Sequence, residues 1–453
     1  MLIFSLMNNQ KLDHLESSFQ QLCHLLIDKL QSEEYLTIEL SGEQTQFIRF
    51  NSAKVRQTGI VKDGTIKLTL MANQRIAFAT FSFTGDESGD SQIAVENLNY
   101  LRQELPQLPE DPHIVLPENN GTTKEVYPGN LLSTEKAVNE IISPVSELDM
   151  TGLYTAGSMI RGNSNSAGQF HWFATENYIV DYSLITPEDK AVKGIFSGQN
   201  WDHNKYLEQI KTDKAQFIAL EKPSKTIKPG GYRTYFAPAA VADLISMLSW
   251  GGISQSSLRR GDSSLLKLQQ GKTLSPQFSL QENFSKGSVP RFNELGEIAP
   301  EILPIITEGN LVNTLISSRT ASEYNLTANG ANNYESLRSP ELLPGNLSQE
   351  EILSTLNTGL YVSNLHYLNW SDRTGGRITG MTRYACFWVE NGEIIAPIEN
   401  LRFDESLYRF WRENLVTLTN FREFIPRTGT YGQRSLGGIL TPGMIVNDFQ
   451  FTL

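Results

Sequence analysis

Cysteine is nearly absent. The 453 residues hold two, Cys23 and Cys386, enough for one bridge at most, so a disulfide framework is excluded and a reducing, cytoplasmic setting is expected. Histidine is scarce as well: His14, His24, His113, His171, His203 and His366 are all there are. No two lie three or four residues apart, and none opens an H-E-x-x-H pattern. That spacing would stack two imidazoles on one helix face around zinc, so a helix-borne zinc site is not encoded. No stretch approaches the ~18 consecutive apolar residues of a membrane-spanning helix. The apolar start MLIFSLMNNQ is too short for a signal-peptide core and lacks a basic flank. No G-x-S-x-G elbow occurs. No G-x-G-x-x-G follows a strand, and GQRSLGG at 432–438 has P-loop glycine spacing without the lysine, which reads as a flexible turn. A basic surplus is missing too: the net charge of −12 repels phosphate backbones and argues against direct nucleic-acid contact.

What remains suits a folded protein, with 39% apolar and 10% aromatic residues. At roughly 150 residues per domain, two or three domains are expected. Leu12, Leu15, Phe19, Leu22, Leu26 and Leu30 recur at helical spacing, with Cys23 and His24 read as helix-surface residues beside the stripe. Residues 35–84 read as an antiparallel meander with turns at Asp63–Gly64 and Ala72–Gln74. A second helix carries Ala94, Leu98, Leu101 and Leu105, and PQLPEDP after it is a linker. Residues 113–221 add a helix near 133–143 and strands turning at 163–168 and at Glu176–Asn177. His171 lies in one of these strands and reads as structural. EKPSKTIKPGG, 221–231, is a second linker. The last section opens with YRTYF and a helix running from Pro238 to Gly251–Gly252. It continues as strands with turns at Glu308–Asn310, Gly375–Gly376 and Asn391–Gly392. The fold class is α+β, with two-layer sections at 1–112 and 113–221 and a domain over 222–453 dominated by a large antiparallel or mixed sheet.

Several segments carry a resemblance. FWVENGEI followed by APIE (387–399), RRGDSSLLKLQQGKTLSP (259–276), RFNELGEIAP (291–300), ITEGNLVNTLISSRTASEYNL (306–326), GLYVSNL (359–365) and LTPGMIVNDFQF (440–451) occur in the order found in the TldD/PmbA family. The sequence resembles that family over nearly its whole length. The family is also described as modulators of DNA gyrase.

The resemblance implies a two-component metalloprotease for unstructured peptides. The TldD component resembles a zinc peptidase with an H-E-x-x-x-H helix and a C-terminal cysteine ligand; the PmbA/TldE component lacks the ligands and pairs with it. Counting back from Arg259-Arg260-Gly261, the zinc-helix motif falls on residues 246–251. Ser246 stands at the first histidine, Met247 at the glutamate and Gly251 at the second histidine. Thr428 lies near the cysteine position, and Cys386 is too early for it. No cofactor is therefore expected in this chain, with zinc expected only in a TldD-like partner of a heterodimer. Glu390, Asn391, Gly392, Arg259 and Arg260 are the candidate peptide or partner contacts. For Arg259 and Arg260, a solvated helix end is the plainer reading. Two alternatives stay open: a homodimeric peptide-binding or regulatory protein, and a hydrolase with an unrecognised site. No membrane partner is expected.

Overall fold

The computed structural model describes residues 9–452, so most of the apolar start MLIFSLMNNQ lies outside the described residues. About 24% of the chain is helix and 40% strand, an α+β fold. The first part runs α1 (Asn9–Asp28), β1 (Tyr35–Asn51), β2 (Lys54–Ala72), β3 (Arg75–Ser82), α2 (Glu87–Glu104) and β4 (Thr122–Tyr127). It continues with α3 (Thr134–Ile142), β5 (Asp149–Asn165), β6 (Phe170–Ile185), β7 (Ala191–Gly198) and α4 (His203–Leu220). Helix–three strands–helix thus occurs twice. All seven strands form one sheet, β3-β2-β1-β5-β6-β4, with β7 also on β6, so sections 1–112 and 113–221 share it. β1 and β5 are the seam, antiparallel from Thr37 opposite Asn165 to Phe50 opposite Gly152.

Period-two alternation sorts the two faces of this sheet. Leu36, Ile38 and Leu40 are buried with Phe19, Leu22 and Leu26 of α1 and with Leu98 of α2. Tyr154, Tyr178, Val180 and Tyr182 are buried with Ile141 of α3 and Ile210 of α4. Helices thus cover one face along its whole length. The alternate positions Thr37, Glu43, Thr45, Thr155, Asn163 and Thr175 are polar, and yet they are buried too. Cys23 is not a surface residue: it is 1% exposed inside the α1 core, and burial drives its thiol far above the usual range. Its neighbour His24 is exposed.

Two expected turns are strand instead. Asp63 and Gly64 lie within β2, opposite Glu43 and Gly42. The reversal occurs at Ser52–Ala53, with φ of 49° and 51°. Gly64 is needed for a different reason: a Cβ there would run into the carbonyl oxygen of Phe83, whose N–H bonds Gly64 at 2.8 Å. Glu176–Asn177 lies within a continuous β6, where Glu176 accepts from Ser158 Oγ at 3.1 Å and from Gly129 N at 2.9 Å. These bonds hold the strand straight where turn-forming residues stand.

The second part begins with β8 (Gly230–Phe236), α5 (Pro238–Ser246) and α6 (Gln255–Arg260). Its further strands are β9 (Leu280–Asn283), β10 (Ile302–Thr307), β11 (Asn310–Leu311), β12 (Pro340–Leu342), β13 (Gly359–Val362), β14 (Asn364–Asp372), β15 (Arg377–Arg383) and β16 (Phe387–Glu390). After them come β17 (Glu393–Pro397), β18 (Arg402–Ser406), β19 (Leu415–Leu418), β20 (Glu423–Pro426), β21 (Gly438–Thr441) and β22 (Met444–Phe451). They form a nine-stranded sheet, β14-β15-β18-β22-β8-β13-β16-β17 with β19 on β22, and a six-stranded sheet, β11-β10-β9-β12-β21-β20. The larger sheet is mixed, because β13 runs parallel to β8. Phe236, Leu244, Ile245, Phe278, Phe403, Trp411 and Phe449 are buried in one core around α5.

Replacing Gly64 by alanine is expected to lower the unfolding free energy by about 1–3 kcal/mol through overpacking, read as a fall in the urea midpoint. A second outcome concerns Asp213 in α4, which takes the Tyr182 hydroxyl and whose carboxyl burial pushes up to about 6 from 3.8. A raised native value stabilises at low pH, so this contribution is present below pH 3.8 and lost as pH rises towards about 6. Relative to Asp213→Asn, the parent protein should lose up to about 3 kcal/mol across that window, measured by urea unfolding at stepped pH.

Candidate functional site

Pro238 starts α5 and its apolar face buries Val241, Leu244 and Ile245. The helix ends at Ser246, a 3₁₀ turn takes Met247–Ser249, and Gly251 has a left-handed φ of +79°. Ser246 is exposed and donates to the Asp243 carbonyl at 2.7 Å. Met247 is 1% exposed, its thioether turned into the core. Gly251 packs beside Ser257 and Arg373, and a side chain there would be strained. Zinc takes thiolate, imidazole or carboxylate donors; a hydroxyl, a core thioether and a glycine do not fit it. Among the described residues no three His, Cys, Asp or Glu side chains gather as a ligand set. The acidic side chain of α5, Asp243, accepts from Leu365 N at 3.3 Å, and burial pushes its carboxyl up to about 7.

The hairpin β16–β17 turns at Asn391 and Gly392, with φ of 53° and 80°, as a type I′ turn requires. The turn is pinned from outside: Asn391 N donates to Thr358 Oγ1 at 3.2 Å and Gly392 N to the Asn357 carbonyl at 2.7 Å. Glu390 and Asn391 are exposed. Arg259 and Arg260 end α6, exposed, capped by Gly261 at φ 77°. Arg259 lies over the Tyr324 ring, and Arg260 Nε is 3.5 Å from Asp262. No hydrogen bond or ion pair joins these arginines to the hairpin. His171 is fully buried, held by Thr123 Oγ1 at 2.9 Å and stacked on Phe292. Burial lowers its proton affinity, which fits a structural role.

Thr428 leads to the feature that the sequence hid. It lies in the connection 427–437 between β20 and β21, and this segment reaches across to the polar face of the first sheet. Arg434 is 5% exposed there. Its backbone N–H donates to Glu43 Oε1 at 3.0 Å, while its guanidinium donates through Nη1 to Thr45 Oγ1 at 3.3 Å and through Nη2 to Asn177 Oδ1. Gln433 Nε2 donates to Asp63 Oδ2 at 2.8 Å. Burial pushes the Arg434 guanidinium down to about 10, and the Glu43 carboxylate counters this. Read as a flexible turn, GQRSLGG is instead an anchored strap. The strap also meets the α5 end: Leu337 donates to Ser249 Oγ at 3.3 Å and accepts from Arg427 at 2.7 Å.

Cavities flank the strap. One of about 570 Å³ lies between the β6–β7 face and β20–β21. Another of about 420 Å³ lies between β1 and β5 and the segments 289–294 and 332–338. Both exceed the lower bound of ligand-sized pockets, about 300 Å³.

The mixed-sheet domain of this chain falls in a class of metallopeptidase-related domains. Residues 229–453 match the PmbA/TldA metallopeptidase C-terminal domain. Metalloprotease PmbA of Escherichia coli O157:H7 is 32% identical over 140 residues, which is 31% of this chain and 28% of that protein. TldE from Thermococcus kodakarensis superposes with a TM-score of 0.76 at 14% identity, covering 96% of this chain and all of that one. A Thermotoga maritima protein described as a candidate modulator of a DNA gyrase does so with a TM-score of 0.74 at 16% identity, with the same coverage. At these identities the superpositions speak for the fold. The chain belongs to the TldD/PmbA family. No helix among the described residues is long and apolar enough to cross a membrane.

The strap network is testable by a double-mutant cycle. Glu43→Ala removes the acceptor of the Arg434 backbone N–H and the carboxylate that favours the Arg434 charge, and is expected to cost about 1–3 kcal/mol. Adding Arg434→Met should then cost far less than it does alone, a non-additivity read from urea unfolding of the four proteins.

Proposed function

We propose that this chain is the PmbA/TldE-like, non-cutting subunit of a two-component zinc peptidase, pairing in the cytoplasm with a TldD-like subunit. Its part is to close the chamber and hold unstructured peptide. The observation that carries this reading is the 246–251 segment. The helix stops at Ser246, Met247 serves the core, and Gly251 sits in a conformation that disfavours any ligating side chain. Without neutral imidazoles and a carboxylate, a metal-bound water is neither held nor activated. Family membership and the local match to a metalloprotease support the setting. The buried polar face and its cavities support peptide binding.

The test is reconstitution with the TldD-like protein of the same organism. Alone, this chain is expected to hold far less than one zinc per chain by elemental analysis and to leave an unstructured peptide intact. The mixture should elute as a heterodimer and cleave the peptide until a chelator is added. Stoichiometric zinc and cleavage by this chain alone would sink the reading. A stable homodimer that ignores the partner would favour the regulatory alternative.

A further inference from the structure

The 570 Å³ cavity has an unusual charge pattern. Acidic residues outnumber basic ones in this chain by 50 to 38, yet the cavity wall contains Lys286 and Arg422 and no carboxylate. Lys286 has no ion-pair partner among the described residues. Arg422 is held by Glu341 through Nη1. That carboxylate also accepts from Gln281 and Asn283 at 2.6 and 2.7 Å, so the arginine is oriented while its other donors stay free for a ligand. An anion entering this space meets the unpaired Lys286 and an arginine whose charge is shared with Glu341, with no carboxylate in the wall itself.

The rest of the wall suits a main chain. Phe424 and Pro426 line the cavity from alternate positions of β20, and Arg422, just before the strand, continues the same spacing. β20 pairs with β21 on one side and with no strand on the other among the described residues. Its open N–H and C=O groups can accept an added strand. Gly198 and Gly437 leave parts of the wall without side chains, which lets a backbone approach closely. Phe424 and Leu440 supply apolar surface.

We propose that this cavity receives the carboxyl-terminal end of an extended peptide, with Lys286 and Arg422 holding the terminal carboxylate and β20 its main chain. The inference rests on the peptide-holding role above and names the part of the peptide that is held.

The probe is a short alanine–serine peptide labelled at its amino terminus, as free acid and as carboxamide, titrated into the full-length chain by fluorescence anisotropy. The free acid should bind about tenfold or more tighter than the amide, the scale of a hydrogen-bonded charge. Lys286→Ala should shrink that difference severalfold, and Phe424→Ser should weaken both forms alike. Equal affinities for acid and amide, or no binding of either, overturns the proposal. So does displacement of the acid by inorganic sulfate with no loss of affinity in Phe424→Ser, since the cavity would then be a simple anion site. If the reconstituted peptidase is active while acid and amide bind alike, the carboxylate site fails and the subunit role stands. If reconstitution fails while acid selectivity persists, the reverse holds.

Discussion

A guanidinium taken out of water must be matched where it lands. Arg434 enters the space between the two halves of this protein, and everything at that boundary is arranged around it. Glu43 and Thr45 come from β1, Asn177 from β6, and the strap that delivers the arginine is fixed at its ends by β20 and β21. The buried polar row on the outer face of the first sheet makes sense on this basis. Apolar side chains there would bury more hydrocarbon, but they would leave the strap's backbone and its charge without partners. The cavities on either side follow from the same constraint, because a polar face bridged by a single strap cannot close like a hydrophobic core.

The end of α5 is shaped by packing as much as by residue identity. Met247 points into the core that unites the large sheet with the helix, and the 3₁₀ turn draws the next residues off the helical path. Placing imidazoles at 246 and 251 would therefore not create a ligand pair at helical spacing. The left-handed backbone at Gly251 and the removal of Met247 from its pocket would both oppose it. Met247 holds the domain together here.

Local signals were legible in the sequence wherever they were strong. The stripe of α1, the proline entry to α5 and the Asn391–Gly392 reversal all sit where periodicity and turn chemistry put them. The failures share a cause. Asp63–Gly64 and Glu176–Asn177 have the composition of turns, but their conformation is set by neighbours far along the chain: Phe83 in one case, Ser158 and Gly129 in the other. Cys23 looked peripheral on a helical wheel, because the sheet that covers it was not part of the local pattern. The strap was the least legible of all. Arg434 and Glu43 lie 391 residues apart, and a polar glycine-rich loop carries no local mark of a buried anchor. For the 246–251 segment, the residue types could be read directly, while the premature end of the helix could not.

The doubled helix–three strands–helix arrangement has a consequence of its own. Each half carries a long strand, β1 or β5, whose outer edge would lie open if the other half were missing, and open edges invite indiscriminate pairing. Joined edge to edge, the two halves behave like an obligate dimer written on a single chain. Neither is a finished module, and the seam between them is an interior rather than an interface.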